Sequence, residues 1–215
     1  MQLRRANVLE GALELLDAEG LDGLTMRRLG AALNVQGGAL YRHFPSKEAL
    51  LDAMAERLLA GVAEPLAEGP WQDQLFELAQ RVRAALLARR DGARVVAGTY
   101  VPGPNTQAAG GAAIEILCSA GFAPQQAGWI TFAAFHFVLG HTIEEQALVQ
   151  LEATDDWSAR LSTVESWPSV RVAQAMESLA TADPGERFNY GLRIFIDGVV
   201  HQLDAGREGR DPGAR

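Results

Sequence analysis

The stretch from Thr25 to Lys47, TMRRLGAALNVQGGALYRHFPSK, constrains this 215-residue chain more than any other. It holds Arg27, Arg28, Arg42 and Lys47 and no acidic residue, in a chain whose formal net charge is −8. The pattern divides into two short helical pieces around Asn34-Val35. Thr25 can cap the first with its hydroxyl, and Leu29, Ala32 and Leu33 recur at helical spacing. The second, Gln36 to Phe44, buries Leu40 and Phe44 one turn apart and turns Gln36, Arg42 and His43 outward. Two helices of about seven or eight residues joined by a turn of about four fit a helix-turn-helix, whose second helix enters the DNA major groove. A buried helical hairpin that never touches DNA is the alternative reading of this spacing.

The acidic balance argues against DNA until it is divided along the chain. Residues 1–47 hold six Lys/Arg and five Asp/Glu, a net +1, whereas the remainder carries −9. The positive surplus falls on the segment that would face phosphates. An acidic bulk repels DNA, so binding is expected to be register-specific and sensitive to salt. A 48% hydrophobic, 21% charged composition is ordinary for a soluble globular chain with a buried core. No apolar run reaches the roughly 18 residues needed to cross a bilayer, and the polar start from Arg4 is not a secretory signal. Cys118 is the only cysteine, so no internal disulfide forms, and its apolar surroundings favour a buried small hydrophobe over a redox sensor. The expected compartment is cytoplasmic.

Helical periodicity runs through nearly the whole chain. Residues 4–18 place Val8, Leu9, Ala12 and Leu16 on one face, with Gly20 closing the helix. Pro45 breaks the chain, and Ser46 caps a helix striped by Leu50, Met54 and Leu58 that ends before Pro65. Helices follow over Trp71 to Arg90, with Leu75, Leu78, Val82, Ala85 and Leu86 in register, and over Ala108 to Ala120 up to Gly121. Asp91-Gly92 stops the former, and GTYVPGPN (98–105) reads as a loop. Pro124 opens a helix of about 27 residues to Leu151, with Trp129, Phe132, Phe135, His136, Leu139 and Ile143 along one broad side. Residues 152–168, with Asp155, Asp156, Trp157, Ser158 and Pro168, read as an irregular connection, and a short helix fits 169–181. Asp183-Pro184-Gly185-Glu186 is a helix start with a capping box, leading to Phe188, Leu192, Phe195, Ile196, Val199 and Leu203. The fold class is all-α, with about nine to ten helices. The domain reading is 1–47 for DNA, 48–204 for effector binding and dimerisation (48–64 as connecting helix), and 205–215 as a disordered tail.

The run LTMRRLGAALNVQGGALYRHFPSKEALLDAM resembles the N-terminal signature of TetR-type repressors: Thr-x-Arg, a small-residue turn, Leu-Tyr-x-His-Phe, then Lys and an apolar helix. RRDGARVVAGTYVPGP followed by FHFVLGHTIEEQ is similar to the body of the tetracycline-repressor subclass. The resemblance implies a ligand-responsive, homodimeric DNA-binding repressor, without catalysis, in which the 48–64 helix links head to body. In that subclass the region encloses a drug–magnesium complex. Its metal-binding glutamate falls on Glu144, but its histidine position is Val96, which cannot ligate a metal. Its polar drug-reading positions fall on Ala63, Leu78 and Val82. A small, largely apolar effector fits these replacements better than tetracycline–magnesium, with no cofactor and no resident metal.

The candidate DNA-binding set is Thr25, Arg27, Gln36, Gly37, Gly38, Ala39, Tyr41, Arg42, His43 and Lys47. Thr25, Arg27, Tyr41, Arg42 and Lys47 suit phosphates, and Gln36, with Arg42 or Arg27, suits base edges. Gly37, Gly38 and Ala39 open the recognition helix, where the tetracycline repressor has larger residues, so shape readout gains weight. Candidate effector-lining residues are Leu78, Val82, Val96, Thr99, Trp129, Phe132 and His136. Plain core remains the alternative for the aromatic stripe, and a hydrogen-bonded core histidine for His136. His141 and Glu145 have metal-compatible spacing beside Glu144, but such a trio is more often a solvated face. Gly191 and Gly198 share one face of the last helix, which is expected to pair with the 124–151 helix across a two-fold axis as a four-helix bundle. Simple internal packing of both helices is the alternative. Rival functions are a DNA-binding regulator without an effector, an activator, and a helical enzyme, for which no catalytic constellation is found.

Overall fold

The computed structural model describes residues 3–99, 103–152 and 167–208. Among these residues there are ten α-helices and no strand. They are α1 (Arg5–Gly23), α2 (Met26–Ala32), α3 (Gly37–Tyr41), α4 (Lys47–Leu58), α5 (Trp71–Leu87), α6 (Gly92–Ala97), α7 (Pro104–Ala120), α8 (Pro124–Glu152), α9 (Val170–Thr181) and α10 (Pro184–Glu208). The chain divides into two compact units, 1–143 and 144–215, with α8 crossing the division.

In the first unit, α2 packs on α1 and α3 packs on α2. Leu13, Leu16, Leu29, Leu40 and Phe44 are fully buried and form the apolar centre that makes these short helices hold. The Thr25 hydroxyl accepts from Arg28 N–H at 3.2 Å and the Ser46 hydroxyl from Ala49 N–H at 3.2 Å, so both anticipated caps are in place. The turn between α2 and α3 places Asn34 in the left-handed region (φ 53°), which asparagine tolerates, and Val35 N–H returns to Gly30 C=O. Arg5 braces the far end of α3: it donates to His43 C=O at 2.8 Å, and its guanidinium lies 4.1 Å from the Phe44 ring centroid.

α4 packs against α1 and also against α6 and α7, while α5 packs against α6 and α7. Gly20 breaks α1 with φ 72° and ψ 175°, a conformation that glycine adopts without a Cβ penalty. The break frees Leu21 N–H, which donates to Asp91 Oδ2 at 2.8 Å. Asp91 is buried, lies just before α6, and its neighbours extend the tie: Arg94 reaches both carboxylate oxygens of Asp22 at 3.0 and 3.2 Å, and Arg89 pairs with Asp17 and Glu10. In the second unit Ser169 caps α9, and Asp183 Oδ1 accepts from Glu186 N–H at 3.0 Å to start α10. Phe188, Leu192, Ile196, Val199 and Leu203 are buried along α10, as its stripe implied, with Phe195 half-buried.

Several boundaries differ from the sequence reading. α1 resumes for one turn past Gly20, because Asp91 supplies the acceptor that the glycine break leaves missing. The recognition helix is Gly37–Tyr41 rather than 36–44; Gln36 is its cap, and Arg42 to Phe44 close it with tight turns. α6 is a helix that the sequence reading does not contain: it begins at Gly92, within the Asp91-Gly92 stop, and its six residues carry too little periodicity to register. α5 stops at Leu87, and α7 begins at Pro104 instead of Ala108. α10 runs to Glu208, so residues 205–208 are helical where a disordered tail was expected. Cys118 is half-buried rather than buried, and Ala32 is exposed although it was placed in an apolar stripe. The expected connection at 153–166 and the tail at 209–215 lie outside the described residues.

Because Phe44 has no exposed surface, Phe44→Ala is expected to lower the unfolding free energy by about 3–5 kcal/mol, measured by urea denaturation. Ala32→Ser, at an exposed position of the same head, is expected to change it by less than about 1 kcal/mol.

Candidate nucleic-acid interface and ligand cavity

Phe44 and Leu40 pull one face of α3 into the core, and this turns the other face out. Thr25, Arg27, Gln36, Gly37, Gly38, Tyr41 and Arg42 are exposed, and Ala39, His43 and Lys47 are half-buried. His43 is thus less outward than its spacing implied, since Arg5 holds its carbonyl against the head. Arg28 is tied to Glu19 at 2.6 Å, which spends part of its charge inside the chain. A Cβ added at Gly37 or Gly38 would meet nothing within 4 Å, so packing within the subunit does not demand glycine at either position. The bare start of α3 is therefore a property of the surface it presents.

A cavity of about 290 Å³ lies within the first unit, walled by α4 to α8. Ala55 and Leu59 come from α4 and its end, Leu75, Leu78, Ala79 and Val82 from α5, and Val96 and Thr99 from α6 and the turn after it. α7 adds Thr106, Ala109, Gly110 and Ala113, and α8 adds Thr131, Phe132, Ala134, Phe135 and Val138. Of the seven residues singled out from sequence, Leu78, Val82, Val96, Thr99 and Phe132 come together here. Trp129 and His136 do not: both are exposed on α8 and outside the wall, with the His136 ring set edge-on to Phe132 at 4.3 Å. Ala63 lies instead in a second hollow, with Leu66, Ile116 and the other side of Leu78. Sequence reasoning missed Thr131, Ala134 and Val138, which flank Phe135 at helical spacing.

The wall contains no carboxylate, imidazole or ammonium group among the described residues. Magnesium prefers hard oxygen ligands, usually carboxylates, and this wall supplies none; Glu144 is not part of it. Val96 itself lies in the wall, and its hydrocarbon offers no electron pair.

Beside the cavity, Glu56 joins α4 to the start of α7. α7 has Gly103 as its N-cap, which has no side chain to accept the orphan N–H groups of the first turn. Glu56 fills that role from another helix. Its carboxylate accepts from Asn105 N–H at 2.7 Å, Thr106 N–H at 3.1 Å and the Thr106 hydroxyl at 2.5 Å. Asn105 Nδ2 donates back to Glu56 C=O at 2.8 Å. A Cβ at Gly103 would collide with the Glu56 carboxylate, so glycine is what lets the two approach. Burial pushes the Glu56 carboxyl upward, but the donors of Thr106, Asn105 and Gly103 outweigh it and hold the group below its ordinary value.

Comparisons with known proteins agree with this geometry. Residues 8–54 match the family described as "Bacterial regulatory proteins, tetR family", and residues 64–203 match "Tetracyclin repressor-like, C-terminal domain". The fold and the helix-turn-helix define a DNA-binding transcriptional regulator, and the chain belongs to the TetR family. It is 38% identical over 220 residues to the tetracycline repressor protein class A from transposon 1721 of Escherichia coli, covering 98% of this chain and 99% of that protein. Among solved structures, a Streptomyces coelicolor A3(2) protein described as a possible TetR family transcriptional regulator superposes with a TM-score of 0.83 at 40% identity, covering 92% of this chain and 99% of that one. A TetR variant from Acinetobacter baumannii AYE in complex with minocycline gives 0.73 at 37%, covering 94% and 98%. Regulators of this family bind DNA operators as dimers and respond to small-molecule effectors. Among the described residues no helix is long and apolar enough to cross a membrane.

Glu56→Gln is expected to lower stability at pH 7 by about 1 kcal/mol, as loss of a helix cap does. A depressed carboxyl contributes stability that is complete above its unfolded value and fades as pH falls through the folded one. The gap between wild type and variant in urea midpoints is therefore expected to close on acidification below pH about 4.5, whereas a pH-independent gap would contradict the clasp.

Proposed function

We propose that this chain is a cytoplasmic, non-catalytic repressor that binds a palindromic operator as a homodimer and is released by a small, largely apolar effector held in the α4–α8 cavity. The observation that carries the reading is the double role of α4. It starts at Lys47, beside the exposed face of α3, and its last turns supply Ala55 and Leu59 to the cavity wall. Twelve residues at about 1.5 Å each make α4 a strut of roughly 18 Å between the two sites. A ligand that wedges α4 away from α7 or α6 would tilt the head attached to it. Two heads then lose their match to major grooves one turn apart.

In this reading residues 1–47 form the head, 48–64 the connection and 65–204 the body. Thr25, Arg27, Tyr41, Arg42 and Lys47 hold phosphates, with His43 and the backbone at Gly37, Gly38 and Ala39 lying close to the groove. Gln36 and Arg42 read base edges, and the missing side chains at 37 and 38 shift weight to DNA shape. Large apolar side chains left exposed in the single chain, Trp129 and Phe132 on α8 and Tyr190 and Ile194 on α10, support dimerisation through α8 and α10. The wall of Leu78, Val82, Val96, Thr99 and Phe132 supports an apolar effector over a metal chelate.

Fluorescence anisotropy on the intergenic duplex flanking the gene, against a scrambled duplex of equal length, tests the head. With about four phosphates neutralised per subunit, the log–log salt slope for a dimer is expected near −7. Arg42→Ala should reduce its magnitude by about 2, and Arg28→Ala by less because Glu19 already holds that side chain. Equal, weak binding to both duplexes would contradict sequence-specific recognition. Once an effector is found, operator DNA must weaken its binding by the same factor by which it weakens operator binding.

A further inference from the structure

We propose that the cavity takes a neutral, largely apolar molecule bearing one hydrogen-bonding group, and that Thr131 is the residue that reads this group. The inference rests on the reading of the cavity as the effector site and narrows what that effector is.

The wall has three polar side chains, all threonines, and two of them are committed. Thr99 donates its hydroxyl to Val95 C=O at 3.2 Å, within its own helical turn. Thr106 gives its hydroxyl to the Glu56 carboxylate. Thr131 differs: its Oγ1 is shut away from solvent and has no hydrogen-bond partner among the described residues. An unpaired buried hydroxyl is unfavourable, and native structures rarely keep one without a use. Thr131 stands on the same face of α8 as Ala134, Phe135 and Val138, all of them wall residues, so its side chain borders the cavity. The hydroxyl oxygen has no surface on the cavity in this rotamer, but a helical threonine has two accessible χ1 wells, and rotation from one to the other moves the hydroxyl to a new side of the residue. A ligand hydroxyl, carbonyl or amide at the α8 wall gives that hydroxyl its partner.

Charge is selected against by the same wall. A charged group entering an apolar cavity leaves water and meets no counter-charge. The carboxylate between wall residues Ala55 and Leu59 on α4 does not serve as one, because Glu56 is already saturated by Asn105 and Thr106. At about 290 Å³ the cavity sits at the small end of the roughly 300–1,000 Å³ range of ligand sites, which suits two or three fused rings with one polar substituent.

The test uses the full chain and three probes of one skeleton, naphthalene, 2-naphthol and 2-naphthoate, by equilibrium dialysis against wild type, Thr131→Val and Thr131→Ser. Thr131→Val keeps the shape and deletes the hydroxyl, so naphthalene should bind as in wild type, which also shows that the variant is folded. The 2-naphthol to naphthalene affinity ratio is expected to fall about three- to tenfold in Thr131→Val and to survive in Thr131→Ser, as one neutral hydrogen bond gives. 2-Naphthoate should bind at least tenfold more weakly than 2-naphthol. A ratio unchanged by Thr131→Val, with both probes bound, overturns the assignment of Thr131 and leaves the cavity as an effector site. Tight 2-naphthoate binding overturns neutrality. Failure of all three probes to bind wild type removes the effector reading, and this inference falls with it.

Discussion

The structure depends on a carboxylate that caps a helix it does not belong to. α7 begins at a glycine with no capping side chain, and its first-turn N–H groups would be orphaned beside an apolar cavity. Glu56 satisfies them from α4. The consequence reaches past local stability, because it fixes two walls of the cavity to each other through three hydrogen bonds that favour the ionised carboxyl. α4 is also the helix that leaves the DNA-binding head. Whatever separates α4 from α7 must move the head or break the clasp.

A second tie runs from α1 to α6, which supplies another part of the wall. Gly20 opens the α1 backbone, Asp91 fills the gap from the start of α6, and Arg94 adds a two-pronged pair to Asp22. α6 is only six residues long, yet one end holds the head through Asp91 and Arg94 while the other supplies Val96 to the cavity. The head therefore meets the cavity walls by two routes of different chemistry. One is a carboxylate-capped helix start, and the other is a glycine break with a surrounding ion-pair cluster. Exposed ion pairs add little stability by themselves, so the buried Asp91 contact is the stronger part of the second route.

The helix-turn-helix was legible because its signals are local. Thr25, Ser46 and Asp183 each cap within three residues, and Leu40 and Phe44 lie one turn apart. The all-α class followed from periodicity and terminator residues such as Gly121. What escaped were contacts between distant positions. Nothing in the sequence pairs Glu56 with Thr106 or Asp91 with Leu21, and the start of α7 at Pro104 lies inside the stretch that reads as a loop. The cavity face of α8 was misassigned for another reason: that helix is apolar on every side, so periodicity cannot choose a face. The side expected from sequence, through Trp129, Phe132, Phe135 and His136, meets the cavity at Phe132 and Phe135, where Thr131, Ala134 and Val138 join them. α6 was missed because one and a half turns carry no detectable period.

The central claim is that the head and the cavity are one mechanical system joined through α4. Residue-resolved hydrogen exchange of the Asn105 and Thr106 amides, with and without operator duplex, tests it most directly. These amides lie on the Glu56 carboxylate and outside the helix-turn-helix. The account predicts that operator binding to the head changes their protection by severalfold in wild type and leaves it unchanged in Glu56→Gln. Protection that changes in α2 and α3 alone, with Asn105 and Thr106 indifferent to DNA, would contradict it.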